Sequence, residues 1–286
     1  MGGTISSRHA FLNVSKVRTI FFQLTRLKAT GKRIKYIRRM VLTSNAPALP
    51  HLLTQSPPNE QGIQAVLFDA YGTLFDVYSV GLLAEKLFPT YGQALSVMWR
   101  DKQLEYTRLV TTSNNGAHYQ PFWTLTRASL QYSCQRLGLD LHAEAEEQLM
   151  NQYSQLRAFP ENRDVLQALK DKGIVTGILS NADPAMLDIA VKAAGLEGLL
   201  DHVISVDGIR QYKTHPDAYA LGEKATGLKA GQIGFVSCNS WDALAATWYG
   251  YQTLWVNRYQ LPFEELGTQP VHTGTSLTDV LTQLVP

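Results

Sequence analysis

The pattern of apolar and polar positions divides this 286-residue chain into regions of different periodicity. Val66, Leu67 and Phe68 form a continuous apolar run that ends at Asp69, as expected of a strand buried on both faces. Residues 79–156 carry apolar side chains at three- and four-residue steps, which predicts helices. After residue 159, short apolar runs alternate with helical patterns, which is typical of an α/β protein.

This alternation predicts a Rossmann-like α/β fold. Short connections between strands and helices favour a parallel sheet with right-handed crossovers. We assign residues 61–80 and 160–286 to this core domain, and residues 81–159 to an inserted helical cap above the carboxyl edge of the sheet. The predicted strands are 66–68, 173–179, 203–206, 233–236 and 252–256, and the predicted helices are 79–87, 92–109, 122–137, 143–156, 164–170, 185–194, 216–226 and 242–249.

Residues 1–60 are predicted to form a basic, poorly ordered extension. The first 58 residues contain ten Lys or Arg and no Asp or Glu. This composition fits a mitochondrial transit peptide, MGGTIS formally fits a myristoylation pattern, and a start codon assigned too far upstream would also explain the segment. These alternatives stay open. We therefore predict a cytoplasmic protein, or an organellar one if the segment is a transit peptide.

The rest of the chain is mildly acidic, with 16 basic and 24 acidic residues. A nucleic-acid-binding protein would carry a basic face, so no nucleic-acid partner is predicted. Cys134 and Cys238, the two cysteines of the sequence, lack metal-ligand spacing, which predicts reduced thiols. No apolar run approaches the roughly 18 residues of a transmembrane helix.

Polar side chains gather just after the predicted strands. Because the carboxyl ends of parallel strands lie along one edge of a sheet, residues far apart in sequence can converge there on one pocket. The sequence therefore predicts a site at this edge. Its candidate groups are Asp69 with Thr73, Ser180 with Asn181, Lys213, and Ser237 with Asn239 and Asp242.

Each of these groups also has a simpler explanation. Ser180 and Asn181 could cap a helix, and Asp242 could complement a helix dipole. Lys213 could be a solvated loop cation, and Arg100, in the helical region, could be a surface charge. We favour a shared site, because otherwise several separate explanations would have to hold at successive strand ends.

Five segments resemble the type II (S)-2-haloacid dehalogenases of the haloacid dehalogenase (HAD) superfamily. They are FDAYGTLFDVYSV, MWRDKQLEYT, ILSNADP, YKTHPDAY and FVSCNSWDALAA, in this order and spacing. The resemblance covers about residues 63–260 and leaves out the basic extension. The second and fifth segments are specific to the dehalogenase branch.

The resemblance implies hydrolysis of L-2-haloalkanoic acids to D-2-hydroxy acids and halide, with inversion at C2 and an ester formed on Asp69. Phosphatases of this fold place a second Asp two residues after the nucleophile to protonate the leaving alkoxide, and here that position is Tyr71. A halide leaves as a stable anion, so this loss is harmless for dehalogenation and costly for a phosphatase. Ser237-Cys238-Asn239 replaces the acidic segment that helps to bind Mg²⁺, so no metal and no cofactor are predicted.

The resemblance also implies a role for each site residue. Asp69 is the nucleophile, and Asp242 activates the hydrolytic water. Arg100 and Asn181 cradle the halide, while Ser180 and the backbone N–H groups after Asp69 bind the substrate carboxylate. Further residues support these groups: Thr73 and Lys213 bind Asp69, Ser237 and Asn239 position Asp242, and Tyr219 orders Lys213.

The resemblance also implies an apolar wall around the alkyl group of the substrate. Its residues are Tyr71, Leu104, Phe122 and Trp241, for which packing in the core is an equally good explanation.

Several positions depart from the family pattern, and they leave the substrate range open. Asp101 matters most, because an acid beside the halide cradle would weaken halide binding unless it points away from Arg100. After Lys213 the family usually has a Pro, whereas here Thr214-His215 comes before Pro216; the spacing from Lys213 to Tyr219 is kept, so we expect the site to survive. The remaining departures are Arg108 in place of an aromatic residue and Ala182 in place of Gly.

Two other functions remain as alternatives. The first is a phosphatase of the same superfamily that acts on a small phosphorylated metabolite, against which Tyr71 argues. The second is a non-catalytic binding protein that keeps the fold, which would have no need of both Asp69 and Asp242. For the dehalogenase, the resemblance implies a 2-haloacid and halide as ligands and a homodimer as the assembly.

Overall fold

The computed structural model describes residues 62–286 and, before them, three strands. These are β1 (Arg8–Val14), β2 (Arg18–Arg26) and β3 (Tyr36–Leu42), which pair antiparallel in the order β1-β2-β3. The sequence predicted a poorly ordered extension in this region, and these three strands differ from that prediction. Segments such as RTIFFQLTR are rich in β-branched and aromatic residues, which favour strands despite the basic charge. The MGGTIS segment lies outside the described residues.

Residues 1–55 and 56–286 form two separate compact units. The second unit contains a six-stranded parallel sheet, which confirms the predicted α/β class. The chain order of its strands is β4 (Ala65–Phe68), β5 (Val175–Ser180), β6 (His202–Ser205), β7 (Ile233–Ser237), β8 (Gln252–Val256) and β9 (His272–Gly274). Their order in the sheet is β6-β5-β4-β7-β8-β9. The short strand β9 was not predicted, because three residues show no periodicity.

Strand β4 lies at the point in the sheet where the order of strand addition reverses. From β4 the chain builds β5 and β6 on one side, and it then returns to build β7, β8 and β9 on the other. All four residues of β4, AVLF, are buried, as a central strand covered on both faces requires. Ligands of open α/β sheets bind beyond the carboxyl ends of the strands at such a reversal, which is where Asp69 lies.

Helices cover the sheet and interrupt it after β4. The first four lie within residues 81–154, which we call the helical insertion, and none of the described helices is both long and apolar enough to cross a membrane. The predicted helices are confirmed to within a few residues at their ends, and α9 was not predicted. The helices are α1 (Gly81–Leu87), α2 (Gly92–Thr112), α3 (Phe122–Leu137), α4 (Ala143–Ser154), α5 (Asn162–Asp171), α6 (Pro184–Ala193), α7 (Pro216–Thr226), α8 (Ser240–Tyr249) and α9 (Val280–Gln283).

Candidate active site

Asp69 is held by donors from three separate segments of the chain. Lys213 Nζ lies 3.1 Å from Asp69 Oδ1, whereas Thr73 Oγ1 and Asn239 Nδ2 donate to Oδ2 at 3.0 and 2.8 Å. The residue is only 6% exposed. A carboxylate surrounded in this way keeps a fixed orientation, and its charged form is stabilised by a cation and two hydrogen bonds.

The turn after Asp69 requires glycine at position 72. Gly72 has a φ of +104°, and a Cβ there would lie 3.3 Å from Asn239 Nδ2. The N–H groups of Leu74 and Phe75 fold back onto Ala70 O at 2.9 and 3.0 Å. In residues 62–286 no hydrogen bond engages the N–H groups of Ala70 and Tyr71, so these two donors remain for a ligand.

Lys213 joins Asp69 to a second buried carboxylate. Its Nζ lies 2.9 Å from Asp242 Oδ2 as well as 3.1 Å from Asp69 Oδ1. Lys213 is 1% exposed and Asp242 is fully buried, so Lys213 is not a solvated loop cation. Asp242 does lie in the first turn of α8, but its side chain binds Lys213, Tyr219 and Ser237, which shows a role beyond the helix dipole.

The titration of this cluster is set by burial and by its opposite charges. Burial acts to lower the pKa of Lys213, but the charges of Asp242 and Asp69 outweigh it and raise the pKa. Burial raises the pKa of Asp242, the charge of Lys213 opposes this, and the charge of Asp69 adds to it. Lys213 therefore remains an ammonium ion, and Asp242 is a stronger base than an exposed carboxylate.

Arg100 is a buried cation and not a surface charge. It is 7% exposed, its Nη2 donates to Tyr71 O at 2.9 Å, and its Nη1 donates to Gln103 Oε1 at 2.8 Å. A weaker contact of 3.4 Å joins Nη2 to Asn239 Oδ1. Within residues 62–286 Arg100 forms no ion pair. Because buried charges are normally paired, this guanidinium is suited to receive an anion.

Ser180 ends β5 and Asn181 follows it, and neither residue caps the next helix. The N-cap of α6 is Asp183, whose carboxylate accepts the N–H of Met186 at 3.1 Å. Asn181 Oδ1 instead accepts the backbone N–H of Lys213 at 2.9 Å, and Ser180 Oγ accepts the N–H of Ala182 at 3.1 Å. Asn181 therefore anchors the Lys213 backbone and keeps its amide NH₂ group for another partner.

Two implied positioning roles differ from the contacts that the structure shows. Ser237 and Asn239 were both expected to position the side chain of Asp242. Ser237 Oγ donates to Asp242 Oδ2 at 3.1 Å, but the amide of Asn239 donates instead to Asp69 and to Tyr71 O. Tyr219 was expected to order Lys213, but its hydroxyl donates to Asp242 Oδ1 at 2.8 Å. Tyr219 thus acts on Lys213 only through Asp242.

The predicted apolar wall is partly assembled around Tyr71. The ring of Tyr71 lies 6.1 Å from that of Phe122 and stacks on that of Tyr153 at 5.7 Å. The Tyr71 hydroxyl is buried and has no hydrogen-bond partner among the residues that the structure describes, and burial raises its pKa. Leu104 and Trp241 are half-buried, so their place in the wall stays a prediction.

Asp101 lies apart from the halide cradle. It is exposed and borders a shallow surface groove with Gln93 and Val97, whereas Arg100 faces the interior. The two residues are adjacent on α2, and helical geometry directs successive side chains about 100° apart. Arg108 is exposed with its guanidinium 5.3 Å above the ring of Trp241.

Gln103 and Tyr153 contact the site but were not predicted to do so from the sequence. Gln103 is fully buried and contacts Arg100, and Tyr153 donates to Gln103 Oε1 at 3.1 Å. The available signal was an amide three residues after Arg100 on a helix, which places both on one face. No sequence signal pointed to Tyr153.

In the described part of the chain, no three His, Cys, Asp or Glu side chains cluster closely enough to hold a metal ion. The space between the carboxylates of Asp69 and Asp242 holds the Lys213 ammonium instead. The charge of this ammonium balances part of the charge of the carboxylates, the role that a divalent cation would otherwise serve.

Comparison with known proteins supplies the family. A model described as haloacid dehalogenase-like hydrolase matches residues 63–250. The chain belongs to this family. Haloacetate dehalogenase H-2 of Moraxella sp. (strain B) is 42% identical over 223 residues, covering 78% of this chain and 98% of that protein. The (S)-2-haloacid dehalogenase of Pseudomonas sp. (strain YL) is 42% identical over 219 residues, covering 77% and 93%.

Solved structures of haloacid dehalogenases agree with this assignment. A crystal structure of an L-2-haloacid dehalogenase has 53% identity and a TM-score of 0.77, and covers 79% of this chain and 100% of its own. The L-2-haloacid dehalogenase of Xanthobacter autotrophicus with chloropropionic acid covalently bound has 33% identity and a TM-score of 0.71, covering 77% and 98%. The predicted resemblance is therefore confirmed. A predicted phosphoglycolate phosphatase of Haemophilus somnus, at 18% identity and a TM-score of 0.52, shares the fold alone.

Proposed function

We propose that this protein hydrolyses L-2-haloalkanoic acids to D-2-hydroxy acids and halide through an ester on Asp69. The observation that carries the proposal is the pairing of Asp69 with Lys213, beside a buried Arg100 that forms no ion pair within residues 62–286. Two residues after Asp69 the chain has Tyr71 and not a carboxylic acid. Such a site supplies an ionised nucleophile and a receptor for an anionic leaving group. It supplies no strong acid, since burial raises the pKa of Tyr71.

In the first step, a carboxylate oxygen of Asp69 attacks C2 from the face opposite the halogen. The new C–O bond forms as the carbon–halogen bond breaks, and the halide keeps the bonding electron pair. Arg100 and the amide NH₂ of Asn181 stabilise the departing anion by charge-assisted hydrogen bonds. Ser180 and the N–H groups of Ala70 and Tyr71 hold the substrate carboxylate.

In the second step, water attacks the carbonyl carbon of the Asp69 ester. Asp242 accepts a proton from this water, the bond between the acyl carbon and the hydroxy-acid oxygen breaks, and Asp242 returns the proton to that oxygen. The new Asp69 carboxyl group then releases its proton to solvent, which regenerates the carboxylate. The contacts of Asp242 suit this role. Oδ2 accepts hydrogen bonds from Lys213 and Ser237, whereas among the side chains of residues 62–286 only Tyr219 donates to Oδ1, so one oxygen keeps a lone pair for water.

The deciding experiment compares two activities of the purified protein. We expect chloride release from L-2-chloropropionate with EDTA present, and hydrolysis of p-nitrophenyl phosphate with Mg²⁺ slower by at least about 100-fold, the value of acid catalysis. Chloride electrode readings and absorbance measure the two rates. Faster phosphate hydrolysis would establish the phosphatase alternative, and the absence of both activities would favour a binding protein.

The pH dependence of ester hydrolysis tests the role of Asp242. Because the pKa of Asp242 is raised and the residue acts when ionised, hydrolysis should slow as the pH falls through a value above the ordinary 3.8. Tyr219 stabilises the ionised form, so Tyr219→Phe should move this acid limb to still higher pH. Quenched-flow mass spectrometry of the ester measures the rate, with Tyr132→Phe on the helical insertion as control. An unmoved limb in Tyr219→Phe would contradict this assignment.

The remaining inferences concern assembly and location. The helical insertion follows directly from the Asp69 strand and supplies Arg100, which supports its role as a cap over the site. A homodimer, implied by the family, would give a sedimentation mass of twice 31.8 kDa. A cytoplasmic location remains the prediction, and fractionation of the native host with detection of residues 1–60 would distinguish it from an organelle.

A further inference from the structure

We propose that Gln103 is the positioning residue that directs the Arg100 guanidinium toward the leaving halide. The inference rests on the proposed function, because it concerns the same halide receptor. Gln103 lies on α2 inside the helical insertion, is fully buried, and has both ends of its amide engaged. It touches Arg100 and is separate from the residues that contact Asp69.

The hydrogen-bond pattern fixes which way the Gln103 amide points. Thr126 Oγ1 donates its one proton to Phe122 O at 2.7 Å, so toward Gln103 it can act only as an acceptor. Gln103 Nε2 must therefore face Thr126, at 2.6 Å. The amide oxygen is consequently turned toward Arg100 Nη1 and the Tyr153 hydroxyl, at 2.8 and 3.1 Å.

Three helices of the insertion contribute to this arrangement. Gln103 belongs to α2, Thr126 to α3 and Tyr153 to α4, and all three residues are buried. The ring of Tyr153 also stacks on Tyr71, whose carbonyl holds the other end of the guanidinium. The guanidinium is thus held at both terminal nitrogens, by a network of contacts that extends from the packed interior of the insertion to the loop after Asp69.

The neutrality of Gln103 matters as much as its geometry. An amide oxygen orients the guanidinium without cancelling its charge, whereas a carboxylate at this position would form an ion pair with it. In residues 62–286 Arg100 has no acidic partner, so its full charge remains for an incoming anion. Gln103 therefore satisfies two requirements of a halide receptor, a fixed donor direction and an uncompensated charge.

Gln103→Met tests this assignment by removing the acceptor at similar volume. We expect bromide affinity, measured by bromine NMR line broadening on the full-length protein, to fall by about tenfold or more, and kcat for 2-chloropropionate by roughly 10- to 100-fold. Binding of propionate, which has a carboxylate but no halogen, should stay within about twofold, since Ser180 and the backbone N–H groups are untouched. This selectivity separates positioning from a general loss of packing.

The matched control is Ser129→Ala. Ser129 is equally buried on α3 and donates to Thr126 O at 2.8 Å, but within residues 62–286 its side chain forms no hydrogen bond with Gln103 or Arg100. Its bromide affinity should equal that of the wild type. If Gln103→Met does not fold, Tyr153→Phe decides the question, because it removes one donor to the Gln103 oxygen and keeps the ring; a bromide affinity lowered by about two- to fivefold is expected.

Three results would overturn the inference. The first is a folded Gln103→Met variant whose bromide affinity is unchanged, and the second, if Gln103→Met does not fold, is an unchanged bromide affinity in Tyr153→Phe. The third is a wild-type protein that binds no detectable bromide. A different result would show that the proposed function is wrong while the inference about Gln103 holds. A wild-type protein that binds bromide with the expected Gln103 dependence, but releases no halide from 2-haloacids, would refute the dehalogenase and leave the anion receptor standing.

Discussion

Replacing Asp69 with Asn should abolish halide release, with a loss of at least about 10⁴-fold, because the variant retains no ionised oxygen to form the ester. The fold should persist. Removal of this charge leaves Lys213 paired with Asp242 at 2.9 Å, so no buried charge loses its only partner. Halide release and thermal unfolding, measured on the same preparation, check both halves of the expectation.

The control for this variant is Asp101→Asn, which removes a carboxylate from the exposed side of α2. Its turnover should stay within about twofold of the wild type, as expected of a surface substitution. A single turnover in ¹⁸O-labelled water adds a direct test, since the label should enter Asp69 before it enters the product. Unchanged turnover in Asp69→Asn, or label that appears first in the product, would exclude Asp69 as the nucleophile.

The parts of the fold that sequence predicts well are those with strong local signals. A fully apolar strand before Asp69 and glycines in the left-handed region after α3 and α7, at φ of 69° and 71°, mark boundaries that the structure reproduces. The three-residue strand β9 and the strands of the first unit were missed. In the first unit, the basic composition argued for a poorly ordered segment and outweighed the β-branched and aromatic residues.

The site shows a similar division between topology and side-chain detail. Convergence of Asp69, Lys213 and Asp242 follows from their places after parallel strands, and the structure brings them together. Which donor meets which acceptor does not follow, because it depends on rotamers. Asn239 could reach either carboxylate from its loop, and only the structure shows that it binds Asp69.

Lys213→Met should have the second large effect, on both turnover and stability. Two buried carboxylates would lose their shared cation, and removal of one partner from a buried ion pair costs about 3–5 kcal/mol. Turnover should fall by at least about 10³-fold, because Asp69 loses the buried cation that orients its carboxylate at 3.1 Å and balances its charge. Chemical denaturation at neutral pH measures the stability, and Met keeps the volume of the buried stem.

The stability loss in Lys213→Met should depend on pH, and this separates electrostatics from packing. Without the ammonium, burial and the charge of Asp69 raise the folded-state pKa of Asp242 unopposed, to above the unfolded value of about 3.9, so the unfolded state releases this proton first as the pH rises. The deficit relative to the wild type should therefore be largest at neutral pH and shrink as the pH falls toward about 4. Lys170→Met, which breaks a pair with Asp201 whose side chains are 30% and 37% exposed, should cost no more than about 1 kcal/mol at any pH. A pH-independent deficit in Lys213→Met would show that the side chain contributes packing alone, and that the two carboxylates do not need its charge.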